Sequence, residues 1–196
     1  MTPPNYRMLE MFDERRAAQA ASYLLFRAGG SMHLIKLLKL IYLAERLSFE
    51  RYGEPLTGDR LVSMEHGPVL SRIYNHMNGA MRSEPGGWDS WISDRAEHKV
   101  SLRDPSALKS PEDDLLALSD SDLEVLSAVW DRFGSWDRWA LVKYTHDELP
   151  EWEDPHGSSK PITYDRLFRA LGYSDQQINH MLAHLHQQHE ISKAFA

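Results

Sequence analysis

The sequence has no cysteine. Disulfides, thiolate nucleophiles and cysteine-based zinc sites are thereby excluded. No apolar run approaches the ~20 residues that a bilayer-spanning helix needs. Basic residues are the minority, with 22 Lys and Arg against 29 Asp and Glu, a formal net charge of -7. A duplex-DNA binder normally carries a basic face, so the acidic total argues against DNA as a partner of this chain alone. It suits a basic protein partner. GxGxxG, the Walker phosphate loop, the GxSxG elbow and HExxH are also missing. The opening Met1-Thr2-Pro3-Pro4-Asn5-Tyr6-Arg7 lacks the cationic and apolar regions of a signal peptide, and a cytoplasmic protein is expected.

What is present fits one ordered domain over residues 1–196, extended up to about Phe12. Hydrophobic residues make up 42% and charged residues 26%, which places the chain among globular proteins rather than disordered ones. Asp13 to Ala28 reads as a first helix, stopped by Gly29-Gly30. Ser31 is the expected N-cap of a second, which ends at Gly53. Apolar residues from Leu34 to Leu47 surround most of that helix, leaving a narrow stripe of Lys36, Lys39, Arg46 and Glu50. A helix apolar nearly all round is the central one of a bundle. Burying half a dozen such side chains is worth on the order of 10 kcal/mol before entropy is subtracted.

The expected fold is therefore mainly α: a compact single-domain helical bundle around this central buried helix, with a small two-stranded β element. Leu61-Val62-Ser63 and Lys99-Val100-Ser101-Leu102-Arg103 are the strands expected to pair. His66-Gly67-Pro68 is expected to bend the chain into a helix beginning at Val69. Ser119 with Asp122, and Ser174 with Gln177, read as helix N-terminal capping pairs, and Ser135 as the cap of the helix between them.

Histidine supplies the first chemical candidates. His180 and His184 stand at i,i+4 on the last helix, a metal-ligand spacing short of a complete site. An exposed polar face of the terminal helix is the favoured account of them. His146, Asp147, Glu148, Glu151, Glu153, Asp154 and His156 form the densest acid and base cluster. A metal-dependent hydrolase using His146, Asp147, Glu151 and His156 is the alternative from another functional class. Capping and turn formation around Pro150 and Pro155 is the plainer account. A DNA-binding regulator is the third reading, although no candidate recognition helix is strongly basic. Trp88 and Trp91 lie beside Pro85-Gly86-Gly87 in a loop and serve either as partner-binding anchors or as pins that hold the loop to the core.

Lys39-Leu40-Ile41-Tyr42-Leu43-Ala44, then Tyr52-Gly53-Glu54-Pro55-Leu56-Thr57-Gly58-Asp59, then His66-Gly67-Pro68-Val69 resemble the SocA-like, or Panacea, domain family, first labelled as phage-associated proteins. Leu118 to Asp122, Thr145-His146, Leu149-Pro150-Glu151-Trp152, Lys160 to Tyr164 and Leu171-Gly172 extend the resemblance over roughly Ala17 to Gln177. It implies a mainly helical antitoxin that neutralises a cognate protein toxin by direct binding. In some relatives the domain is a proteolytic adaptor that delivers the toxin to a AAA+ protease of the ClpXP type. It implies no enzyme activity, catalytic residue, cofactor or metal. Asp59, His66, Gly67, Pro68, Val69, His146 and Trp152 match the family pattern and are expected to be architectural. Some relatives carry an added DNA-binding domain, for which this chain leaves no room.

Overall fold

The computed structural model describes residues 9–194, apart from the side chains of Asp94 and Arg95. Most of the extended N-terminal stretch read from the sequence lies outside the described residues. Helix α1 (Glu14–Arg27) is capped by the Asp13 side chain, which accepts from Arg16 N. Strand β1 (Ser31–His33) precedes the central helix α2 (Leu34–Tyr52). A hairpin follows, β2 (Leu61–Met64) and β3 (Gly67–Leu70), and runs directly into α3 (Ser71–Met77). The short helix α4 (Trp88–Trp91) leads into a second hairpin, β4 (Ile92–Ala96) and β5 (Lys99–Leu102). After a 3-10 turn at Pro105–Ala107 come α5 (Pro111–Asp114), α6 (Asp120–Phe133) and α7 (Arg138–Asp147). The two-residue strand β6 (Lys160–Pro161), α8 (Tyr164–Ala170) and α9 (Asp175–Ala194) complete the chain.

The mainly helical expectation agrees with this architecture, and α2 is the hub. Leu37, Leu40, Ile41, Tyr42, Ala44 and Phe49 are fully buried. They pack against α1, α6, α7 and β3. The helix ends at Gly53, whose φ of 70° is the left-handed C-cap that glycine supplies without strain.

The β structure differs from the sequence reading. Two three-stranded sheets stand where one two-stranded element was expected, ordered β1-β5-β4 and β3-β2-β6. Leu61–Met64 pairs with Gly67–Leu70 and Lys160–Pro161, not with Lys99–Leu102. Ser31 is not a helix cap, because Ser31–His33 is spent in the ladder with β5. The first amide of α2, at Leu34, instead donates to the carbonyl of His98 at 2.9 Å. Val69 and Leu70 are strand rather than helix. Pro68 is tolerated there because β3 is an edge strand, where the missing N–H is not needed. Asp137, not Ser135, caps α7, its carboxylate accepting from Trp139 N at 2.8 Å and Ala140 N at 3.2 Å. The Ser119–Asp122 capping box on α6 forms as the sequence suggested. Ser174 and Gln177 bond reciprocally ahead of α9.

Candidate functional site

The scattered motif pieces meet on one face of α2. Glu45, fully buried, accepts from Thr57 N at 2.7 Å, Thr57 Oγ1 at 2.8 Å and Gly58 N at 3.2 Å. It thereby fixes the turn after α2. Burial pushes its pKa up to about 7 despite those donors. Asp59 sits at the end of the same turn. Its carboxylate accepts from Arg60 N at 2.6 Å, Arg72 N at 3.0 Å and Ile73 N at 2.9 Å. Helix α3 has no side-chain cap at Leu70, so Asp59 satisfies two of its open amides from 13 and 14 residues upstream.

Four further polar groups of α2 hold other segments. Arg46 Nε donates to Glu151 Oε1 at 2.8 Å, and the Tyr42 hydroxyl donates to the same oxygen at 3.2 Å. Glu151 is fully buried, so this pair anchors the Leu149–Trp152 loop to the core. Trp152 Nε1 then donates to the carbonyl of Met64 at 3.0 Å. Its ring stacks on His146 with centroids 4.1 Å apart and planes at 15°. Lys39 Nζ donates to the carbonyl of Pro68 at 2.9 Å. Of the stripe read from the sequence, Lys36 likewise bonds a carbonyl, that of Gly134 at 2.6 Å.

The β2–β3 turn is built by Glu65 and His66, with Gly67 entering β3 at a φ of +92°. A Cβ at Gly67 would lie 2.7 Å from Thr145 Oγ1, 2.8 Å from Lys39 Nζ and 3.1 Å from His146 Cδ2. Glycine is required there both by the backbone conformation and by this close approach. Burial lowers the pKa of His146, and the neighbouring Lys39 lowers it further. Pro68 and Val69 are buried, while His66 is exposed and meets Trp139 edge-on at 6.4 Å.

The remaining sequence candidates lie apart. Trp88 is only 3% exposed and stacks on His76 at 5.7 Å. Its amide donates to Glu14 Oε1 at 2.8 Å, and Ser83 Oγ donates to the same oxygen at 2.6 Å. The loop is thus pinned to α1, and Trp88 has no surface to offer a partner. Trp91 is half-buried against the core. Among the described residues, Trp139, at 54% exposure, and Tyr52, at 44%, are the large aromatics left open. Trp139 stands in the first turn of α7, just after the Asp137 cap.

His180 is exposed, and His184 faces Glu54 at 3.5 Å. In the loop cluster, Glu151 points into the core toward Arg46, whereas His156 is open to solvent beside Asp154 at 3.6 Å. Among the described residues, no three His, Asp or Glu side chains are grouped to hold a metal ion. No helix among them is long and apolar enough to cross a membrane.

The family model "Antitoxin SocA-like, Panacea domain" matches residues 37–153. The chain belongs to this family. The match runs from the start of the buried face of α2 to just past Trp152, enclosing every contact described around Lys39, Glu45 and Glu151. It supports an antitoxin-type role and, with it, a non-enzymatic one. Comparison with curated proteins and with solved structures gives no match.

Proposed function

We propose that the protein is an antitoxin that neutralises a cognate protein toxin by direct binding. Membership of the antitoxin family over residues 37–153 carries this reading. The geometry is in keeping with it. The motif residues hold a scaffold together, through α2 to the turn at Thr57, the β2–β3 hairpin and the Glu151 loop. The net charge of -7 favours a toxin with a basic surface, as toxins acting on anionic targets have. Binding would take place in the cytoplasm. It ends either in sequestration or in delivery of the toxin to a AAA+ protease of the ClpXP type.

Co-expression with the product of the adjacent gene tests the reading. The expected result is rescue of growth and co-elution of the two proteins in size-exclusion chromatography. Neither rescue nor a complex would refute it. Toxin half-life in cells with and without the protease separates delivery from sequestration.

A further inference from the structure

A cavity of about 330 Å³ opens beside the β2–β3 turn, with Leu34, Ile35, Leu38, Val69 and Tyr74 in its walls. Lys39 and Gly67 line it as well, and so does Glu65, whose side chain is exposed to solvent. Lys39 is 1% exposed, and its single hydrogen bond among the described residues is to the neutral carbonyl of Pro68. An ammonium carries three donors and a full charge, so a lone carbonyl leaves it undercompensated. Burial drives its pKa down to about 7. Nε2 of His146 is also buried and lacks a partner among the described residues. Lys39 Nζ, Thr145 Oγ1 and His146 converge on the one glycine that lines the cavity. At the rim, exposed His66 carries Trp139 edge-on.

We propose that this cavity is the partner's docking point, and that its occupant is a single acidic side chain of the partner, set in an apolar contact segment, whose carboxylate pairs with Lys39. The proposal deepens the antitoxin reading and rests on it. One ammonium in an apolar wall matches a monoanion. A phosphate would call for an arginine fork or several cationic donors, and Lys39 is the one Lys or Arg in the cavity lining. The net charge of -7 disfavours a broadly acidic partner, so the carboxylate stands alone in an otherwise apolar or basic surface. Trp139, open and adjacent, supplies the aromatic anchor that protein interfaces favour. A buried charge left without a counter-ion destabilises the free protein, and a partner that supplies the counter-ion recovers that energy on binding.

Two experiments on the full chain test this. In the first, phenylacetate and the uncharged phenylacetamide are titrated in turn and followed by ¹H–¹⁵N NMR. The expected result is saturable shifts at the Gly67, Val69 and His146 amides with phenylacetate alone, abolished in Lys39→Met while its spectrum stays that of a folded protein. Equal shifts with both compounds, no shift with phenylacetate, or shifts that persist in Lys39→Met overturn the pocket. In the second, the affinity for the adjacent-gene toxin is compared between the wild type and Lys39→Met. A loss of at least about thirtyfold is expected for truncating one partner of a buried charge pair. Equal affinity overturns the docking point while leaving the antitoxin reading intact. Failure of the wild type to bind the toxin overturns the antitoxin reading and the docking point with it; phenylacetate binding would then assign the cavity to a free carboxylate.

Discussion

Lys39→Met isolates the energetic consequence of a charge buried without a counter-ion. A solvated lysine titrates near 10.4, whereas burial brings Lys39 to about 7. The pKa is depressed in the folded state, so between these values the unfolded chain holds a proton that the folded chain has released. Stability therefore rises with pH across roughly 7 to 10, and is insensitive to this group below that window, where both states are protonated. At 1.36 kcal/mol per unit, Lys39 destabilises the fold by about 4 kcal/mol near pH 7 and by about 2 kcal/mol near pH 9. Methionine keeps the unbranched length and removes the charge. It leaves the Pro68 carbonyl without its donor, a loss of about 1 kcal/mol. The net gain is about 3 kcal/mol near pH 7 and about 1 kcal/mol near pH 9. For a chain of this length that is a Tm increase of about 6–12 °C at the lower pH and about 2–4 °C at the higher. Thermal unfolding followed by circular dichroism, for both proteins at both pH values, gives the two increments. Titrating groups that do not sense Lys39 cancel in the difference between variant and wild type, and His146, which does sense it, is held below its ordinary range by burial. An equal increment at both pH values, or a lower Tm near pH 7, would refute the reasoning. Either result means that a compensating group holds Lys39 in its charged form.

Gly67→Ala is expected to destabilise by about 2–4 kcal/mol in urea unfolding, combining left-handed backbone strain with the clash against Thr145, Lys39 and His146. Trp88→Ala should cost about 3–5 kcal/mol of stability, as the loss of a buried aromatic does. Trp139→Ala should leave the Tm within about 2 °C and weaken toxin binding instead, and the reverse pattern for the two would contradict the assignment of the exposed surface. Glu45 titrates at about 7 through burial, so the folded chain keeps a proton that the unfolded chain has lost. Stability from this group is complete below about pH 4.5 and is lost as pH rises through about 7. Glu45→Gln should flatten that decline, measured as the urea midpoint between the two pH values; an unchanged slope would count against it. Asp59→Asn removes the acceptor for Ile73 N–H and should lower stability by about 1–3 kcal/mol.

The central helix was legible because apolar residues around a whole circumference have one use in a globular protein. The Ser119 and Ser174 caps were legible because capping is local, with both partners three residues apart. Strand β4 was not legible. Its hairpin turns through Glu97 and His98 at φ 49° and 62°, positions where glycine or asparagine is the usual marker. The bend at His66-Gly67-Pro68 was legible but its continuation was not. Proline suits the first turn of a helix and an edge strand alike, and the pairing with Leu61–Met64 decides between them. Trp88 was ambiguous for a different reason. The carboxylate that fixes its loop belongs to Glu14, 74 positions earlier, and no local pattern encodes that contact.

The buried polar groups of α2 separate architecture from function within the motif. Glu45 and Arg46 are matched inside the chain, the first by three donors from Thr57 and Gly58, the second by the buried carboxylate of Glu151. These contacts account for the residues by stability alone. Lys39 lies on the same helix and is as deeply buried, yet its partner is one carbonyl. A methionine or leucine would fill that volume without the desolvation penalty. The fold therefore gives no stability reason for a lysine at this position. A stabilising role would require a counter-charge, and the cavity beside Gly67 is where a partner's carboxylate can supply it. A variant that gains Tm and loses toxin affinity in the same substitution would place Lys39 on the functional side of that division, while Gly67, Asp59 and Glu151 stay on the architectural side.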